Sequence, residues 1–136
     1  MKTCSKLYYL FPAIIWTIVI LILTGIPKDT IPPPPAFIDL FQPDKIVHLL
    51  MFCIYVYLFA KGLFKGYPDK KINMIILAVI ISGLLYSGLT ELMQKYIFIT
   101  RKCSIYDFIA NIAGCLIGIA VIKIRFRKAV DQNENS

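Results

Sequence analysis

The stretch Ile72-Asn73-Met74-Ile75-Ile76-Leu77-Ala78-Val79-Ile80-Ile81-Ser82-Gly83-Leu84-Leu85-Tyr86-Ser87-Gly88-Leu89-Thr90 carries no charged residue, and Glu91 follows at once. A bilayer core of ~30 Å asks about 20 apolar residues of a helix. Leu7 to Pro27 is a second stretch without a charge. Two such runs leave no room for a soluble-core reading. The whole chain agrees: it is 58% hydrophobic, 17% charged, with a mean hydropathy of +0.71. Soluble domains carry about a quarter of charged residues. The class is therefore an integral membrane protein.

Working outward, the same reading gives four spans, at roughly 7–24, 46–64, 72–98 and 105–124. The expected fold is all-α, a bundle of four transmembrane helices forming one domain over 1–124. Residues 125–136 are polar and are expected to form a disordered cytoplasmic tail. Lys2 and Lys6 before an apolar run resemble a signal peptide. The run is too long for one and no A-x-A site follows, so an uncleaved first span is expected. Pro12 falls near the start of that span, where a missing donor matters least. The loop 26–43 holds Ile31-Pro32-Pro33-Pro34-Pro35, which favours extended polyproline II. Its segment Phe37-Ile38-Asp39-Leu40-Phe41 is apolar enough to rest at the membrane interface. Asp44 is a good N-cap for the second span.

The net charge of +7 does not point to nucleic acid, because no basic run is interleaved with exposed aromatics. Basic residues flank membrane segments and set their orientation instead. Ten Lys and Arg fall on the side of both termini and the 61–71 loop, and five on the other. Both termini are thus expected in the cytoplasm, with the proline-rich loop and the Arg101 loop outside. The four cysteines, Cys4, Cys53, Cys103 and Cys115, show no CxxC spacing, so neither a zinc site nor a structural disulfide is expected.

Against this background the polar residues stand out. Glu91, Gln94, Arg101, Asp107 and Asn111 lie within 21 residues, and Asp44, Lys45 and His48 open the second span. Ionisable groups at membrane depth are costly unless paired or wetted. Asp44 and His48 are four residues apart and share a helix face. Glu91 lies roughly 28 Å along the third span, at 1.5 Å per residue. Asp107 opens the fourth span and Asn111 sits one turn below. All of them therefore converge at the outer end. Gly114 and Gly118 make a GxxxG step suited to close helix packing. Gly83, Ser87 and Gly88 give the third span a comparable smooth stretch, so the third and fourth spans are expected to form the tight pair.

Two motifs carry a family resemblance. One is Thr90-Glu91-Leu92-Met93-Gln94, followed by Arg101, Ser104, Asp107, Asn111, Gly114 and Gly118; the other is Asp44-Lys45-Ile46-Val47-His48. Together, over about Asp44 to Ile122, they resemble the VanZ-like membrane proteins. Cys103 departs from the small residues common before the serine. The resemblance implies a multi-pass protein of the bacterial cytoplasmic membrane. The founding member is associated with lowered susceptibility to the glycopeptide teicoplanin, and no established catalytic activity comes with the family.

The residues leave three readings open. In the first, Asp44, Lys45, His48, Glu91, Gln94, Arg101, Asp107 and Asn111 line an outward site for a cell-wall precursor or other outer-leaflet ligand. In the second, the chain is a small membrane-embedded enzyme acting on a lipid-linked or phosphate-bearing substrate. His48, Glu91 and Asp107 are then the acid/base candidates and Arg101 the bidentate anion clamp. In the third, the cluster only pins helices: Glu91 pairs with Arg101 or Lys45, Ser104 and Asp107 form a capping box, and Asn111 bonds across helices. No cofactor and no metal is expected, since one histidine is a thin basis. Were a metal held, its ligands would be His48, Glu91 and Asp107. Membrane lipids are the expected surroundings. Walker, dinucleotide and nucleophile-elbow motifs are absent.

Overall fold

The computed structural model describes residues 2–26, 32, 35, 43–68, 70–97 and 105–134. Four helices follow one another: α1 (Lys2–Gly25), α2 (Pro43–Gly66), α3 (Ile72–Tyr96) and α4 (Ile105–Glu134). Each contains a segment long and apolar enough to cross a membrane, and the described residues include no strand. The loop 36–42 and the residues Arg101, Lys102, Cys103 and Ser104 lie outside the described residues.

The starts and stops have local causes. Pro43 opens α2 at a position where a missing N–H costs nothing, and Asp44 sits in the first turn rather than capping it. Asp107 takes the equivalent place in α4. Acidic groups there face the positive end of the helix dipole. Helix α1 begins at Lys2, so Pro12 lies inside it and not near its start. Helix α4 runs on to Glu134, past the span end read at Ile124.

The helices run up, down, up, down. Gly62 and Gly66 near the end of α2 meet Tyr9 and Lys6 near the start of α1. The indole Nε1 of Trp16 donates to the Met51 carbonyl at 2.9 Å, and Tyr86 Oη donates to the Thr17 carbonyl at 2.7 Å. Phe52, Tyr55, Phe59 and Tyr86 form one aromatic group between α2 and α3, with Tyr55 stacked on Phe59 and edge-on to Phe52. Ile20, Phe52, Val56, Val79 and Ile122 fill the centre. Leu7, Phe11, Ile14, Ile15, Ile18 and Ile22 of α1 point outward and exposed, as a lipid-facing helix requires.

The tight pair is α2 with α4, and not α3 with α4 as the small residues suggested. A Cβ built at Gly114 would collide with the Leu49 carbonyl oxygen. One at Gly118 would lie 2.8 Å from the Cys53 carbonyl oxygen. Both glycines of the GxxxG step thus face the α2 backbone. The α3 contact to α4 runs through Gly83, whose Cβ would meet Cys115 Sγ at 2.9 Å. Because α2 and α4 are alternate spans of an up-down bundle, they run parallel, and residue numbers rise together along the seam.

Candidate polar site at one end of the bundle

Parallel running has a direct effect on the site. Asp44 and His48 occupy the first turns of α2, and Asp107 and Asn111 those of α4, at the same spacing of four. The pairs therefore lie side by side as two rungs. Helix α3 arrives antiparallel and brings Ser87, Thr90, Glu91 and Gln94 to the same end, while α1 contributes Thr24. His48, Ser87, Thr90, Glu91, Gln94, Asp107, Asn111 and Thr24 are all at most 5% exposed. So much buried polarity is costly unless it is hydrogen-bonded.

Much of it is bonded. Gln94 Nε2 reaches the Thr24 carbonyl at 3.5 Å, tying α3 to α1. Thr90 Oγ1 donates to the Ser87 carbonyl and Thr24 Oγ1 to the Ile20 carbonyl, each at 2.8 Å within its own helix. Across helices, Asn111 Nδ2 donates to Glu91 Oε1 at 3.5 Å, and Asn111 Oδ1 lies 3.1 Å from His48 Nδ1. This chain has a definite polarity. A carboxylate only accepts, so Asn111 turns its amide nitrogen to Glu91 and its oxygen to His48. That oxygen also only accepts, so Nδ1 carries the imidazole proton. In the neutral ring the other nitrogen, Nε2, keeps its lone pair.

His48 Nε2 is buried and has no hydrogen-bond partner, and the same is true of Ser87 Oγ. A ring nitrogen of His48 and one carboxylate oxygen from each of Asp44 and Asp107 lie within 4.8 Å of one another. Asp44 is half-buried, so this group reaches from the interior toward the surface. The triad differs from the one expected by including Asp44 in place of Glu91. Glu91 stands behind Asn111, on the far side of the amide from the imidazole.

The remaining site residues fall as follows. The Lys45 ammonium sits 4.5 Å from the centre of the Tyr106 ring, a contact between α2 and α4 at the rim. Arg101 and Ser104 lie outside the described residues. Thr24 was missed in the sequence, because a threonine late in an apolar run has no signal beyond its position; Thr90 was read as the first residue of the family motif and not as part of the site. A cavity of about 270 Å³ lies toward the opposite end, among Tyr57, Phe64, Ile122 and Arg125, and is separate from the polar cluster.

The VanZ/LLP1 family model matches residues 9–126. No curated protein and no solved structure matches the chain. The match covers the last three spans, most of the first and every polar residue of the site, and the chain belongs to the VanZ/LLP1 family.

Proposed function

We propose that the polar end of this multi-pass VanZ-family protein is a ligand site. It faces outward from the bacterial cytoplasmic membrane and engages a cell-wall or lipid-linked ligand, with a consequence for glycopeptide susceptibility. The observation that carries this reading is the unpartnered His48 Nε2, buried beside two aspartates. A cluster that only pinned helices would close on itself, because an unsatisfied buried acceptor costs about 1–3 kcal/mol. Here the Glu91–Asn111–His48 chain is bonded throughout and ends on a lone pair. It orients that lone pair and leaves it open. The ten-to-five charge asymmetry supports the outward sidedness.

The same observation favours a second reading, an enzyme in which His48 Nε2 takes a proton from a lipid-linked or phosphate-bearing substrate. A histidine with its tautomer fixed by the other nitrogen is what a general base needs. Turnover of such a substrate by the purified chain separates the two.

The test is Glu91→Gln, with Arg101→Lys beside it. A glutamine oxygen still accepts from Asn111 Nδ2, so shape and that bond survive while the charge is lost. The expected result is expression and melting temperature close to the parent, with loss of whatever glycopeptide phenotype the protein confers. Variants that melt early, and whose phenotype follows protein abundance alone, would return the cluster to helix pinning.

A further inference from the structure

Resting on that ligand-site reading, we infer that Asp44, His48 and Asp107 hold a first-row divalent cation of the Mn²⁺ to Zn²⁺ class. Three acceptor atoms from two helices converge within 4.8 Å. Independently, His48 is 1% exposed and its Nε2 has no partner. Acceptors do not satisfy one another, and a cation among them would engage the His48 Nε2 that has no partner.

The surrounding bonds prepare the histidine for this role. A metal-ligating histidine commonly donates its other N–H to a carbonyl or carboxylate, which fixes ring and tautomer. Asn111 Oδ1 takes that proton at 3.1 Å, and Glu91 in turn holds the Asn111 amide. In the neutral imidazole the nitrogen that remains carries a lone pair, the form a metal requires. Two carboxylates and a divalent ion also cancel in charge, which lowers the cost of placing Asp107 at membrane depth.

Ligand type narrows the ion. An imidazole nitrogen disfavours Mg²⁺ and Ca²⁺, which take oxygen ligands, and no thiolate is present to favour soft ions. Bonds of ~2.0–2.2 Å bring ligand atoms to about 3–4 Å from one another. Loading therefore draws the triad together by on the order of 1 Å, a side-chain adjustment. The half-buried Asp44 gives the ion its way in.

The experiment uses the full chain in detergent, stripped with a chelator and dialysed. Mn²⁺ is followed by loss of its free-ion paramagnetic resonance signal, and Zn²⁺ by calorimetry, with Mg²⁺ as the contrasting arm. One Mn²⁺ or Zn²⁺ per chain is expected, bound at least tenfold tighter than Mg²⁺. Asp107→Asn and the milder, half-exposed Asp44→Asn should each weaken it at least tenfold. Asn111→Leu should weaken it about 10–100-fold through the histidine it orients. Lys61→Ala at the far end should leave it unchanged. No uptake by the parent at about 1 mM ion, the weak limit of specific sites, overturns the assignment. So does parental affinity in both aspartate variants while they melt like the parent. Should an aspartate variant fail to fold, the parent titration and the remaining variant decide. Absent uptake together with loss of phenotype in a stable Glu91→Gln removes the cation and keeps the ligand site. Uptake together with a phenotype that follows abundance alone keeps the cation and removes the ligand site.

Discussion

Adding one methyl group at Gly114 tests the packing and the site together. In Gly114→Ala the new Cβ collides with the Leu49 carbonyl oxygen and lies 3.0 Å from the Leu49 carbonyl carbon and 3.1 Å from the Cys53 nitrogen. All three atoms are backbone, so no rotamer change clears them. Ordinary contact begins near 3.4 Å, and relief requires α2 and α4 to part by on the order of 1 Å. Overpacking of this kind costs ~1–3 kcal/mol. Alanine returns up to ~1 kcal/mol of helix propensity. A net loss of about 1–2 kcal/mol should lower the melting temperature by roughly 3–10 °C in a chain of this size. Gly88→Ala is the control, since nothing lies within 4 Å of its Cβ. It should melt at or slightly above the parent. Gly114 is one turn from Asn111, and Leu49 follows His48, so a separation of that size carries the 3.1 Å His48–Asn111 bond out of range. Thermal unfolding in detergent reads the first effect. The second is read in the ring ¹⁵N spectrum of the chain's one histidine. Equal melting of Gly114→Ala and Gly88→Ala, with an unchanged histidine spectrum, would refute the α2–α4 seam.

Other outcomes follow from the same geometry. The parent's single histidine should be protonated at Nδ1 and not at Nε2, and Asn111→Leu should lose that preference; an Nε2-protonated parent would contradict the relay from Glu91. Gly118→Ala should destabilise less than Gly114→Ala, and Gly66→Ala should be tolerated, because its nearest neighbour is 3.6 Å away; the reverse order in melting temperature would discredit these contacts. Trp16→Phe removes a 2.9 Å interhelical bond and should cost about 0.5–1.5 kcal/mol in the same unfolding assay. In a background without native cysteines, an impermeant thiol reagent on intact cells should label a cysteine at Pro34 or Lys102 and spare one at Tyr67 or Asn133; the opposite pattern would invert the proposed sidedness.

Span number and the height of each described polar residue were legible in the sequence, because apolar run length and a fixed rise per residue determine both. Lateral placement was not. The GxxxG step says that Gly114 and Gly118 meet another backbone, without saying whose. Sequence neighbours suggest a hairpin with α3, yet α2 carries the matching groove at Leu49 and Cys53. The triad shows the same limit. His48, Glu91 and Asp107 lie at similar heights, and only the azimuth around the bundle decides that Asp44 closes the group while Glu91 sits behind Asn111. That azimuth comes from side-chain volume along the whole seam, which a local motif does not contain. Thr24 was illegible for a related reason: its backbone carbonyl, not its side chain, receives Gln94.

The two sides of each rung lie in opposite halves of the chain, and this bears on how the protein is made. Asp44 and His48 enter the bilayer with α1 and α2; Glu91, Asp107 and Asn111 arrive later with α3 and α4. The first hairpin, as synthesis delivers it, carries a histidine whose bonding partner has not yet left the ribosome. The second brings the asparagine that bonds it, held by Glu91 of its own hairpin. Each bond formed when they meet contributes about 0.6–2 kcal/mol in a membrane. The glycine seam admits close approach in one register only. The cluster thus doubles as a mating surface between half-proteins, and fragments 1–68 and 69–136, expressed as separate chains, should find each other in the membrane by it.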